Sequence, residues 1–112
     1  MAYFDLAAER RVLGSLLLDR QAFDEVRDIL KVEHFYGNAH ARMYAAFIKL
    51  HQRTISVDAV TLAQELDDCN LLEDIGGVPY ILEILECVAN AARAREEAEI
   101  VRDKWIERMR DN

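Results

Sequence analysis

Chain punctuation is scarce in this sequence. One proline and four glycines in 112 residues are too few for arrays of β-turns or long irregular loops. Cys69 and Cys87 are the only cysteines, without a CxxC spacing, which excludes a disulfide framework and a thiolate zinc knuckle. Both lie on apolar helical patterns, so two buried, reduced thiols are expected, in keeping with a cytoplasmic protein. No hydrophobic run approaches the roughly 20 residues of a membrane-spanning helix, and no signal-peptide pattern opens the chain. Motifs that carry chemistry are missing as well: no GxxxxGK phosphate loop, no GxGxxG, no HExxH, no GxSxG. His34, His40 and His51 lack ligand spacing, and the carboxylates around Asp67 and Asp74 read as a solvated face rather than an acid–base pair. Neither a metal nor a cofactor is expected for this chain.

What remains is apolar and charged. Hydrophobic residues make up 52% of the chain and charged residues 31%, enough to bury a modest core in one domain. The net charge of −7 is unevenly placed: residues 1–90 carry 8 Lys/Arg against 15 Asp/Glu, whereas residues 91–112 carry six of each. A domain so acidic repels phosphate backbones, so direct nucleic-acid binding is disfavoured. Solubility alone would account for the acidity; a basic protein partner is the functional alternative.

Apolar spacing of three and four residues recurs almost throughout, which sets the fold class as all-α. Asp5 is placed to cap a helix over residues 6 to about 18, with Glu9 in its first turn where a negative charge suits the helix dipole. Gly14 interrupts that helix among leucines, which suggests close approach by another helix. A second helix is expected over Ala22–Leu30, a third after an Asn38 cap, and a fourth after an Asp58 cap, with Thr54–Val57 as an extended link and Asn70 as a stop.

The chain then turns on Gly76 and Gly77, the expected hinge, with Pro79 in the first turn of a new helix. Residues 1–75 read as a multi-helix head, and residues 76–112 as a C-terminal helical hairpin used for dimerisation. Tyr80, Ile84, Leu85 and Val88 form the apolar side of the first arm, and Asn90 is placed to cap the second. There Ala91, Ala94, Ala98, Val101 and Trp105 step in the heptad manner of a paired helix. These nine residues are the expected dimer interface.

Five segments in order carry a family resemblance: AERRVLGSLLLD (8–19), EHFYGNAHARMYAAFIKL (33–50), VDAVTLAQEL (57–66), LLEDIGGVPYILEIL (71–85) and AEIVRDKW (98–105). Together they resemble the N-terminal domain of DnaB-family replicative DNA helicases. The resemblance implies a non-catalytic collar that pairs into dimers, assembles as a trimer of dimers on the helicase hexamer, and meets the C-terminal domain of primase. A helicase loader is a further candidate partner. ATP and magnesium would belong to a separate C-terminal ATPase domain of the parent, outside this sequence. The turn Ala89-Asn90-Ala91-Ala92-Arg93 departs from the family's proline-containing pattern, and Glu96–Glu97 replace its usual aromatic. A stand-alone helical adaptor or loader-recruiting module, and a small all-α dimeric enzyme, are the alternative readings.

Overall fold

The first helix organises the others. In the computed structural model, which describes residues 3–111, α1 (Leu6–Leu18) starts on the Asp5 carboxylate, which accepts from the Ala8 N–H at 2.9 Å. Ala8, Val12, Leu13, Leu16 and Leu17 are buried along it. Asp19 ends α1 with its own N–H on the Ser15 carbonyl, and its side chain accepts from the Gln21 N–H to open α2 (Arg20–Val26). A 3-10 turn (Val32–His34) follows, then α3 (Asn38–Gln52), α4 (Ala59–Asp68), α5 (Gly77–Glu86) and α6 (Ala94–Arg110). The described residues contain no strand.

The second helix is shorter than its apolar pattern suggests. Past Val26 the N–H groups of Ile29 and Leu30 both turn back to the Val26 carbonyl. The Leu30 carbonyl instead accepts from the buried Tyr44 hydroxyl at 2.7 Å, and burial pushes that phenol up to about 12. Ile29 and Leu30 are thus buried by a turn, not by a helix.

Asn38 does not cap α3. It is the first helical residue, Gly37 holds the cap position, and no side chain on the adjacent chain satisfies the end. Asp58, by contrast, caps α4 in a reciprocal box with Thr61, whose hydroxyl accepts from the Asp58 N–H. Two helices close on left-handed residues in Schellman geometry. After α3, Thr54 (φ 55°) donates to the His51 carbonyl and Ile55 to Leu50; after α4, Asn70 (φ 60°) donates to Asp67 and Leu71 to Leu66. Asparagine tolerates that conformation, whereas a β-branched threonine is strained in it.

Gly76 and Gly77 also have positive φ, 110° and 72°, and a Cβ on Gly76 would lie 2.8 Å from that of Tyr80. The pair does redirect the chain. It does not separate two bodies: one apolar core runs continuously from Ala8 through Ile81 and Ile84 to Ala94, Ala98 and Val101. Both α5 and α6 pack on α1 rather than along one another, so the two helices close the head. The close approach expected at Gly14 is present, since a Cβ there would sit 2.6 Å from the Ile84 carbonyl oxygen and 3.1 Å from Val88.

That contact decides the sign of a substitution. Gly14→Ala should gain about 1 kcal/mol in helix propensity, yet overpacking against a backbone carbonyl costs about 1–3 kcal/mol. A net loss of stability is expected as a lowered denaturation midpoint at unchanged m-value. A raised midpoint would show that α1 and α5 do not meet there.

Candidate interaction surface

Three polar ties hold the helices in the order that shapes the surface. At the centre Glu9 is only 1% exposed. Its Oε2 accepts from the Tyr36 N–H at 2.7 Å and its Oε1 from the Gly37 N–H at 3.1 Å. Oε1 also lies 2.8 Å from His40 Nδ1, and His40 Nε2 lies 2.5 Å from the Tyr80 hydroxyl. A carboxylate only accepts, so Nδ1 carries a proton toward Glu9, and Nε2 shares the hydrogen bond to the Tyr80 hydroxyl. Glu9 therefore ties the two residues that lead into α3, Tyr36 and Gly37, to a helix 28 residues upstream in sequence.

Farther along α1, Arg11 forms a two-point ion pair with the buried Glu97 of α6, Nε to Oε1 at 2.9 Å and the second nitrogen to Oε2 at 3.1 Å. At the end of α6, Arg108 donates to the carbonyls of Tyr3 and His34, at 2.7 and 2.8 Å, and lies 5.3 Å over the Tyr36 ring. Tyr36 stacks on Phe4 at 4.3 Å. His34 Nδ1 accepts from the Lys31 N–H. Burial pulls the His34 imidazole below its ordinary value, with Lys31, Arg102 and Arg108 adding to the effect against Glu33.

This arrangement positions helices; it does not assemble a reaction centre. The Glu9–His40–Tyr80 chain opens onto neither of the cavities of about 470 and 480 Å³ seen on the surface, which other residues line. No group of three His, Cys, Asp or Glu residues among those described is placed to hold a metal ion. Both thiols, expected to be buried, are exposed. Cys69 and Cys87 occupy the C-cap positions of α4 and α5, where a side chain leaves the apolar stripe. Among the described residues no helix is long and apolar enough to cross a membrane.

The sequence pattern of the DnaB-like helicase N terminal domain matches residues 1–103. The chain belongs to that family. It is 43% identical over 102 residues to the replicative DNA helicase DnaB of Mycobacterium leprae, covering 91% of this chain and 17% of the relative. It is 36% identical to the replicative DNA helicase DnaC of Bacillus subtilis over 91% of this chain and 22% of that one. The chain thus spans about a fifth of the length of these relatives. Among solved structures, the N-terminal domain of DnaB helicase from Mycobacterium tuberculosis superposes with a TM-score of 0.92 at 42% identity, over 95% of this chain and 75% of that chain. A DnaB-like replicative helicase described with its interactions with primase gives 0.82 at 27% identity, over 94% of this chain and 25% of that chain.

In this DnaB-like domain the nine expected interface residues do not share one open face. Ile84, Ala94, Ala98 and Val101 are buried in the chain's own core. The alanines that would admit a partner helix admit α1. Asn90 caps no helix either: its side chain accepts from the Ala92 N–H within the turn, and α6 begins at Ala94. Trp105 sits against the His34 ring at 4.6 Å, and Tyr80 is held by His40. Leu85, Val88 and Ala91 remain half-buried at the edge. The exposed apolar residues lie elsewhere, including Val78 and Leu82 on α5 and Met109 on α6.

Two outcomes follow from the polar ties. Glu9→Ala leaves three donors without their acceptor and should cost about 3 kcal/mol or more, against about 1 kcal/mol for Tyr80→Phe. Equal losses in guanidinium melts would contradict the placing of Glu9 at the hub. His34 binds its proton less readily when folded, so its contribution to stability is intact above pH 6.5 and is lost as pH falls from there toward the folded pKa. His34→Asn, which keeps an acceptor but not the titration, should flatten that decline between about pH 7 and pH 5; an unchanged slope would acquit His34.

Proposed function

We propose that this chain acts as the N-terminal collar of a replicative DNA helicase, a non-catalytic element that self-associates and offers a docking surface to primase. The likeness to the Mycobacterium tuberculosis DnaB domain, 42% identity at a TM-score of 0.92, carries the reading. The solved relative described with primase supports the partner. Strand separation and ATP hydrolysis, with its magnesium, fall on this view to a separate motor domain of the parent. The collar works by binding, which suits a chain whose buried polar groups are spent on holding helices together.

Self-association is assigned to what α1 leaves uncovered. With Ala94, Ala98 and Val101 filled from within, the pairing surface falls to the edge residues Val88 and Ala91 and to the far end of α6, where Ile106 is half-buried and Met109 is 48% exposed. Methionine and aliphatic side chains in such a position suit an interface. In the parent, pairs of copies would then build the hexamer as a trimer of dimers, and a helicase loader is a further partner of the same assembly.

Sedimentation equilibrium at tens of micromolar is expected to show a dimer that Met109→Glu weakens at least about tenfold, equivalent to about 1.4 kcal/mol. Calorimetric titration with the C-terminal domain of the cognate primase is expected to saturate. A chain that stays monomeric and gives no heat with primase would overturn the reading.

A further inference from the structure

The negative charge of this domain is confined to one part of the molecule. From Thr54 to Ala92 the sequence contains no Lys, Arg or His, yet eight Asp/Glu. Arg53 and Arg42, from α3 and its end, answer Glu65 and Asp74. Asp67, Asp68, Glu73, Glu83 and Glu86 stay exposed at the end of α4, on the link and on α5. The two helices pack on each other, so these carboxylates are carried by one contiguous part of the head.

The same side carries apolar surface that the fold leaves bare. On α5, Ile81 and Ile84 point into the core, whereas Val78 and Leu82 are 44% and 46% exposed. Positions 78, 82 and 85 fall at i, i+4 and i+7, one stripe of a helix, and Leu85 closes that stripe half-buried. Glu83 and Glu86 stand beside it. An exposed aliphatic stripe of this kind marks a binding surface when it is rimmed by polar residues.

We infer that the outer face of α5, with the acidic end of α4, is a docking face for a basic amphipathic helix of a partner protein. Leucine-like side chains would cover Val78, Leu82 and Leu85, and lysines or arginines would meet Glu83, Glu86 and the link carboxylates. Charge decides among the possible occupants. A second copy docking here in a symmetric dimer would bring the same patch against itself, opposing carboxylate to carboxylate. Nucleic acid is repelled for the same reason. The inference goes beyond the collar reading, because it requires neither that the partner be primase nor that the chain pair through α6.

The test uses the whole chain, isotopically labelled, and a synthetic 18-residue helical peptide with leucines at i, i+4 and i+7 and flanking lysines. Amide shift changes are expected to concentrate within residues 59–87, and affinity to weaken with salt. Leu82→Glu, at an exposed position, should leave the helical spectrum intact and lower affinity at least about tenfold, about 1.4 kcal/mol. Glu83→Lys with Glu86→Lys should do likewise and reduce the salt dependence. Equal binding of a peptide with glutamates in place of the lysines, shifts centred on other helices, or no binding would each overturn the proposal. So would loss of self-association in the Leu82→Glu variant, since a second copy would then be what covers the face. Failure of the primase titration with this face intact would leave the present inference standing, so the two readings fail separately.

Discussion

A carboxylate sealed from water is costly unless every lone pair is used, and Glu9 meets that condition in a way that fixes three parts of the chain at once. Two backbone N–H groups just ahead of α3 and one imidazole N–H converge on it. The imidazole in turn is hydrogen-bonded to the Tyr80 hydroxyl in the first turns of α5. Removing any one partner strands the others, so α1, α3 and α5 are set relative to one another by a single charge. The left-handed Gly76 belongs to the same device, because a side chain there would collide with Tyr80.

The second constraint is steric. α1 has a glycine where α5 crosses it and presents its leucines and valine to the core, while α6 offers alanines in return. Small residues on both approaching helices let α1 lie between α5 and α6, and the Arg11–Glu97 pair closes the side of that contact. An ion pair with one nearly buried partner contributes orientation more than net stability. The outcome is that α6 spends its alanine stripe inside its own chain.

How much of this was legible in the sequence depends on the range of the interaction. Local chemistry was readable: Asp5 and Asp58 cap the helices they precede, Gly14 marks a close approach, and Asn70 stops α4. The family resemblance rests on five segments in order, and the family pattern matches residues 1–103. What spacing cannot tell is which neighbour fills an apolar stripe. The steps of three and four through Ala94, Ala98 and Val101 identify a buried face equally well whether α1 or another subunit covers it. Asn38 shows the same limit, since it is a helical residue and the chain leading into α3 is held instead by Glu9 of α1. Ile29 and Leu30 look helical because burial, not conformation, sets their character.

These constraints leave the outside of the molecule with two chemically distinct faces. Near the end of α6, Arg108 gathers Tyr36, the Tyr3 carbonyl and the His34 carbonyl, and Phe4 stacks alongside, so the N-terminal segment is fastened across that helix end. On the α4–α5 side the segment from Thr54 to Ala92 contributes no basic residue, Arg42 and Arg53 of the α3 region reach only Asp74 and Glu65, and aliphatic side chains lie among the remaining carboxylates. Repulsion among those carboxylates destabilises the compact state, yet nothing in the helical packing requires them, because the core contacts of α5 are made by Ile81 and Ile84. Their cost is borne by the surface alone. The helix that carries this face is also the one that Tyr80 ties through His40 to Glu9, so the buried charge of the head sets the position of its exposed charge.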